Sequence, residues 1–154
     1  MRPHLEHAQC IWSQYKKKLI LCIENVQRKA TKIIKNIKHL TYEERLRYLD
    51  LPSLVYRRAQ GDIMETYKIV SGMYDIAVTP YLQPCKQNVK RGHNLKLAKS
   101  YSRLNVRYNI FSLRITNLWN SLTEDIVTAP SLNAFENKLN KHWQNTSFNP
   151  LTAK

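Results

Sequence analysis

The regular spacing of apolar residues restricts the fold of this chain more than any other feature of its sequence. Between residues 15 and 37 they recur at alternating steps of four and three, the spacing of one apolar face on an α-helix. The residues of this apolar stripe are Leu19, Ile23, Val26, Ala30, Ile33 and Ile37. We therefore expect a helix that buries the apolar stripe and exposes basic residues on its opposite side.

Two capping signals predict the helices that follow. Thr41 and Glu44 have the spacing of a capping box, which starts a short helix that ends near Asp50. Ser53 can then cap a third helix over residues 54–71. Both signals satisfy amide groups that a helix leaves unpaired in its first turn, so they predict where each helix begins.

The apolar period changes after an irregular, proline-containing stretch over about residues 75–90. Alternating apolar and polar residues then predict a short β-hairpin near residues 93–108. Helical spacing returns over residues 109–122, where the residues expected to face inward are Phe111, Ile115, Leu118 and Leu122. Ser131 can cap a last helix, whose inward residues are expected to be Leu132, Phe135, Leu139 and Trp143.

Together these elements predict a mostly α-helical fold of about five helices with one small β-hairpin. We expect a basic, thumb-like helical segment over residues 1–40 and a C-terminal helical domain with the hairpin over residues 41–145. A frayed tail is expected over residues 146–154.

The composition excludes several classes of protein. A hydrophobic fraction of 43% argues against a disordered basic tail, and no run of 18 apolar residues is present to cross a membrane. The first residues contain no signal-peptide core, and the three cysteines are widely spaced, as in proteins of reducing compartments. We expect an intracellular protein, in the cytoplasm, the nucleus or both, with no membrane partner.

The basic charge is concentrated in two blocks. The chain has 25 lysine and arginine residues and 11 acidic ones, which gives a net charge of +14. Residues 1–40 contain nine basic and two acidic residues, and the stretch between Asp75 and Glu124 contains eight basic residues and no acidic one. Clustered basic charge favours binding to a polyanion, because it releases more counterions than scattered charge. The alternative is a surface that only keeps the protein soluble.

The two blocks supply the residues that we expect to contact a nucleic-acid backbone. On the first predicted helix these are Lys16, Lys17, Lys18, Arg28, Lys32 and Lys35. Near the predicted hairpin they are Lys90, Arg91, Lys96, Arg103 and Arg107. Phosphate contacts position a ligand without reading its sequence, so we expect RNA or DNA binding without base specificity. Tyr101 lies among the second group, where its ring can stack on a base.

No group of residues predicts a metal site or catalysis. The cysteines and histidines lack the spacing of a zinc site, and three glycines are too few for a phosphate-binding loop. Asp62 and Glu65 lie one turn apart on a predicted helix, but such pairs are usually solvated. The chain also lacks the paired aspartates that hold two metal ions in polymerases. We expect no cofactor, no metal and no enzyme activity in this chain.

A series of short motifs, in a fixed order, resembles one protein family. The motifs lie at residues 2–6, 24–34, 42–46, 51–54, 91–97, 119–122 and 129–132, within a resemblance that extends from residue 2 to residue 143. Their order and content resemble the region after the polymerase motifs in reverse transcriptases of non-LTR retrotransposons of the jockey and LINE type.

The resemblance implies a role in holding nucleic acid rather than in copying it. In these RNA-directed DNA polymerases the region looks like the thumb-like helices and C-terminal extension that grip template and primer. The catalytic palm would lie upstream of Arg2, so the resemblance implies a non-catalytic fragment of a transposable element. The alternative is an interaction remnant, whose apolar stripe packs on the missing polymerase body or on a second copy of the chain.

Overall fold

The computed structural model describes residues 16–75, 82–85 and 92–146. In these residues the chain is mostly helical, as predicted, with seven α-helices and a 3-10 turn at Lys35–Ile37. The helices are α1 (Lys17–Lys32), α2 (Tyr42–Tyr48), α3 (Leu54–Val70), α4 (Asn105–Tyr108), α5 (Phe111–Asn120), α6 (Glu124–Val127) and α7 (Leu132–Asn145).

The chain forms two compact units, which divide between Gln60 and Gly61, inside α3. The division expected after residue 40 stays a prediction. The tail expected over residues 146–154 lies, beyond Thr146, outside the described residues.

Capping interactions start α2 and α3 where the sequence predicts. The Thr41 hydroxyl accepts the backbone amide of Glu44, while the Glu44 carboxylate accepts the backbone amide of Thr41 at 2.8 Å. The side-chain hydrogen bond from Thr41 is the largest influence that holds the pKa of the Glu44 carboxyl below its usual value. The Ser53 hydroxyl accepts the amide of Tyr56 at 3.2 Å. The capping box and the Ser53 cap are therefore confirmed.

Helix α1 is shorter than predicted, and most of the apolar stripe does not lie on its buried face. The predicted helix extends to residue 37, whereas α1 ends at Lys32. Leu19 and Val26 are exposed, and Ile33 is 80% exposed, so the expectation that they are buried is wrong. Ile37, in the 3-10 turn, is buried as expected.

Specific hydrogen bonds explain why a polar face of α1 is the buried one. The buried residues of α1 are Glu24, Gln27 and Thr31. The Gln27 side-chain amide donates to the carbonyl of Pro52 at 3.1 Å, and the Tyr42 hydroxyl donates to the Glu24 carboxylate. Each of these side chains thus has one hydrogen-bond partner inside the first unit, which favours a rotation of α1 that leaves Leu19 and Val26 exposed.

Aromatic side chains dominate the core of the second unit. The Tyr67 ring stacks on Phe135 with centroids 4.3 Å apart, and the Trp119 and Phe135 centroids are 6.2 Å apart. Phe135, Leu139 and Trp143 of α7 are buried, which confirms the inward face predicted for this helix. Ser131 caps α7 by accepting the amide of Ala134, again as predicted.

The β-hairpin predicted near residues 93–108 is not formed in the described part of the chain, and this prediction is corrected. Leu97 forms an isolated antiparallel bridge with Pro84 instead. The residues expected in the second strand form the helical turn α4, whose backbone bonds include one from the Tyr108 amide to the Leu104 carbonyl at 2.9 Å.

Side chains of α5 explain why the second strand does not pair. The Asn120 side chain donates to the Leu97 carbonyl and accepts the Leu97 amide, each at 2.9 Å. The Trp119 indole N–H donates to the Leu95 carbonyl at 2.8 Å. These contacts occupy backbone groups that a partner strand would need.

His93 is fully buried in the second unit. Its Nε2 lies 3.1 Å from the Trp119 carbonyl, while its Nδ1 has no hydrogen-bond partner. Burial lowers the pKa of His93 below its usual value. The Trp119 carbonyl and Glu124 oppose this shift, whereas the charge of Lys96 adds to it. The folded state therefore favours the neutral ring.

Acidification from pH 7.5 to 5.5 is expected to destabilise the protein through His93. Because folding lowers the pKa of His93, the unfolded chain binds more protons than the folded one as the pH falls through about 6.5. The free energy of unfolding therefore decreases as the pH decreases. One such group contributes a slope of at most about 1.4 kcal/mol per pH unit. Urea titrations across this range measure the slope. His93→Gln should lose it, whereas His39→Gln, at an exposed histidine, should keep it; equal slopes in both variants would contradict the assignment.

Candidate nucleic-acid interface

The candidate contacts of the first unit lie at exposed positions near the two ends of α1. This set, the α1 basic surface, consists of Lys16, Lys17, Lys18, Arg28, Lys32 and Lys35. Lys16 precedes α1, and Lys35 begins the 3-10 turn after it. Basic side chains at the end of a helix also complement the partial negative charge of its last carbonyls. The α1 basic surface is therefore accessible to an anionic ligand.

One aromatic ring orders part of the α1 basic surface. The Arg28 guanidinium carbon lies 4.8 Å from the centroid of the Tyr42 ring, within the range of a cation–π contact. The Tyr42 hydroxyl is itself bonded to the Glu24 carboxylate. Arg28 is thus exposed but oriented, which lowers the entropy lost when it binds a ligand.

Arg45 is a basic residue that does not belong to the exposed surface. It is 5% exposed, and its guanidinium donates to the Thr31 hydroxyl at 3.2 Å and to the Leu40 carbonyl at 2.6 Å. Sequence reasoning did not assign it a role. Its position in α2 gives no signal of burial, because its hydrogen-bond partners lie on other elements.

The candidate contacts of the second unit are not equally accessible. Arg103 and Arg107 are exposed, on either side of the start of α4. Lys96 is half-buried, and a Cβ atom placed on Gly92 would lie 2.8 Å from its Cε and Nζ, so its amino end covers the Gly92 backbone. Lys90 and Arg91 lie outside the described residues.

The segment around α4 exposes apolar and aromatic side chains beside basic ones. Tyr101 is 86% exposed, Leu104 69% and Val106 66%, and α4 contains no buried residue. The α4 patch, as we define it, consists of Lys99, Tyr101, Arg103, Leu104, Val106, Arg107 and Tyr108, all exposed. The sequence has no acidic residue between Asp75 and Glu124. The α4 patch is therefore both apolar and positively charged.

The carboxylates of Asp62 and Glu65, one turn apart on α3, are held by basic residues. Asp62 accepts two hydrogen bonds from the Arg114 guanidinium, each at 2.9 Å. Glu65 pairs with Lys68 at 3.2 Å. Among the described residues, no three histidine, cysteine, aspartate or glutamate side chains are grouped so that they could hold a metal ion.

Compared with protein-family models, with curated proteins and with solved structures, the chain matches none. Within residues 16–75, 82–85 and 92–146, no helix combines the length and apolar character needed to cross a bilayer. Function is therefore inferred from the charges, exposure and hydrogen bonding of the side chains described above.

Proposed function

We propose that this chain binds the phosphate backbone of RNA or DNA, as a non-catalytic protein derived from a non-LTR retrotransposon reverse transcriptase. The ancestry rests on the ordered motifs in the sequence. Binding rests on the charges of the α1 basic surface and of the α4 patch, which belong to different compact units.

The observation that carries the proposal is the uniform sign of the exposed charges between residues 16 and 38. Eight lysine and arginine side chains are exposed in this range. Glu24, the one acidic residue of the range, is buried, and its carboxylate accepts the Tyr42 hydroxyl. Glu24 therefore does not present a negative charge to a ligand at this surface, and a phosphate backbone meets only positive charge there.

Flexible lysines suit a ligand that is recognised by charge rather than by sequence. Five of the six residues of the α1 basic surface are lysines, which act as point charges and lack the planar fork of arginine. Contacts of this kind hold a backbone in place without distinguishing bases. We therefore expect similar affinity for different sequences of the same length and strandedness.

Binding by the wild-type chain should weaken steeply with salt. If about six phosphates are engaged, the logarithm of the association constant falls against the logarithm of salt concentration with a slope of about −5. The double variant Lys32→Gln/Lys35→Gln should reduce this slope by about one per lysine, to about −3. Fluorescence anisotropy with labelled structured RNA and single-stranded DNA, from 50 to 300 mM KCl, measures both slopes.

A matched control separates the α1 basic surface from net charge. Lys138→Gln/Lys141→Gln removes the same charge from α7, where Lys138 pairs with Asp125 at 2.6 Å. We expect its slope to differ from wild type by no more than about 0.5. Equal losses in the two double variants would show that only net charge matters, and no binding at 50 mM KCl would refute the proposal.

The exposed apolar stripe favours a second candidate function, self-association of this chain. Leu19 and Val26 are exposed seven residues apart on one side of α1, and exposed Ile33 follows at the same interval, directly after the helix. These side chains can meet the same residues of a second copy. Because the α1 basic surfaces of two copies repel, self-association should strengthen with salt, opposite to nucleic-acid binding. Light scattering at micromolar concentration distinguishes the two, since a monomer at both low and high salt contradicts self-association.

A further inference from the structure

The α4 patch contains apolar surface that folding of the second unit does not use. Helix α4 contains no buried residue. Among the large apolar and aromatic side chains of the α4 patch, Tyr101 has the greatest exposed fraction. Large apolar side chains that cluster on a surface usually mark a place where a partner binds. A partner of the α4 patch must therefore contact both its aromatic rings and its positive charges.

Hydrogen bonds hold both ends of α4. The Ser102 hydroxyl donates to the Leu104 carbonyl at 3.2 Å, just before α4. At its other end the Asn109 side chain donates to the Asn105 carbonyl at 2.6 Å, and the Arg114 guanidinium donates to the Asn109 carbonyl at 3.3 Å. Since Arg114 belongs to α5, α4 is tied to the core helix that follows it.

Basic residues flank Tyr101, the most exposed ring of the patch, along the chain. Lys99 and Arg103 lie two residues to either side of Tyr101 along the chain, and Arg107 lies in α4, four residues after Arg103. An anionic ligand is therefore favoured over a neutral or basic one. An uncharged apolar ligand would gain no electrostatic attraction from Lys99, Arg103 and Arg107.

We infer that the α4 patch binds single-stranded nucleic acid, with a base stacked on the Tyr101 ring and the flanking phosphates on Lys99 and Arg103. Single strands present planar apolar faces and phosphates in alternation, which matches an exposed ring between two cations. A duplex keeps its base faces stacked inside, so it meets only the charges. The inference rests on the proposed function and adds the strandedness of the ligand and the residue that selects it.

The experiment compares the full-length protein with single-residue variants on two probes. The probes are a labelled 12-nucleotide oligothymidylate and a labelled 12-base-pair duplex, measured by fluorescence anisotropy at 50 mM KCl. Tyr101→Ala should weaken single-strand binding about 5- to 150-fold, the range expected for loss of one base stack. Duplex binding should change less than about twofold, because its contacts are to phosphate. Tyr101→Phe should keep single-strand affinity, since phenylalanine retains the stacking face.

Two controls keep the inference falsifiable. Tyr48→Ala removes another strongly exposed tyrosine, at the end of α2, and should leave both affinities unchanged. Replacing thymine by 5-iodouracil should give a photo-crosslink in wild type that maps to Tyr101. An acidic 12-residue peptide and vesicles with 30% phosphatidylserine should bind equally to wild type and to Tyr101→Ala.

The outcomes separate failure of this inference from failure of the proposed function. If wild type binds both probes but Tyr101→Ala loses neither or both equally, stacking at Tyr101 is refuted and backbone binding stands. If wild type binds neither probe at 50 mM KCl, both are refuted. If Tyr101→Ala loses only the peptide or only the vesicles, the α4 patch belongs to that partner and the inference is overturned.

Discussion

Replacing Asp62 by asparagine is expected to lower the free energy of unfolding by about 3–5 kcal/mol. Asp62 is 9% exposed, and both of its carboxylate oxygens accept hydrogen bonds from the Arg114 guanidinium. The asparagine removes the carboxylate charge that faces the Arg114 guanidinium, whose side chain is only 17% exposed. Arg114 keeps its bond to the Asn109 carbonyl and its place over the Phe111 ring, which offset only part of the loss. Urea unfolding followed by circular dichroism measures the difference.

A surface pair on the same helix provides the matched control. Glu65→Gln removes the partner of Lys68, in an ion pair whose side chains are about one-third exposed, so we expect a loss of no more than about 0.5 kcal/mol. The double variant Asp62→Leu/Arg114→Met should recover most of the stability lost by Asp62→Asn, because it leaves no unpaired charge. If Asp62→Asn costs no more than Glu65→Gln, the ion pair does not stabilise the second unit.

Truncating Phe135 to alanine should cost about 3–5 kcal/mol as well, for a different reason. Phe135 is completely buried, between the Tyr67 ring and the Trp119 indole. Alanine removes the ring from both aromatic contacts and leaves a cavity that the surrounding helices can fill only in part. The same urea unfolding experiment measures the loss.

Two substitutions define the scale of this core effect. Phe135→Leu keeps most of the volume and should cost less than about half as much as alanine. Tyr101→Ala removes a ring of similar size from an exposed position and should change stability by no more than about 0.5 kcal/mol. A loss below about 1 kcal/mol for Phe135→Ala would mean that this aromatic cluster is not the centre of the core. The result for Tyr101→Ala also shows whether its loss of ligand binding reflects misfolding.

The sequence predicts helix starts well because both members of each cap lie within one turn. Thr41 and Glu44, Ser53 and Tyr56, and Ser131 and its amide partner are each three residues apart. Periodicity also predicts inward positions. Ile115, and Leu122 just after α5, are buried as expected, like Phe135 of α7, whereas Phe111 and Leu118 are half-buried. Local chemistry therefore accounts for most of the helical fold.

The packed face of α1 cannot be predicted in this way. Periodicity finds an apolar face, but the partners of Gln27 and Glu24 lie 25 and 18 residues away along the chain. Those two hydrogen bonds accompany a rotation of the helix that leaves Leu19 and Val26 exposed. The predicted hairpin fails for a related reason, since Asn120 lies 23 residues along the chain from Leu97, whose backbone it bonds.

The sequence predicts the part of the candidate interface that consists of exposed basic residues. Lys32 and Lys35 are exposed as expected, and so are Arg103 and Arg107. Lys96 is half-buried because its amino end covers Gly92, whose φ of +87° only glycine adopts readily. The pattern of charges along the sequence does not predict that a lysine side chain will cover the backbone of a glycine. The exposure of the α4 patch is likewise a property of the folded second unit.

The amide of Asn120 has a consequence for how copies of this protein behave at high concentration. By meeting both the N–H and the C=O of Leu97, it occupies the positions that a neighbouring strand would fill. Short extended segments with free edges can recruit the same segment from another molecule and begin cross-β aggregation. At Leu97 that edge is closed by a side chain of the same unit. Asn120 therefore protects a lysine-rich and leucine-rich stretch from intermolecular strand addition.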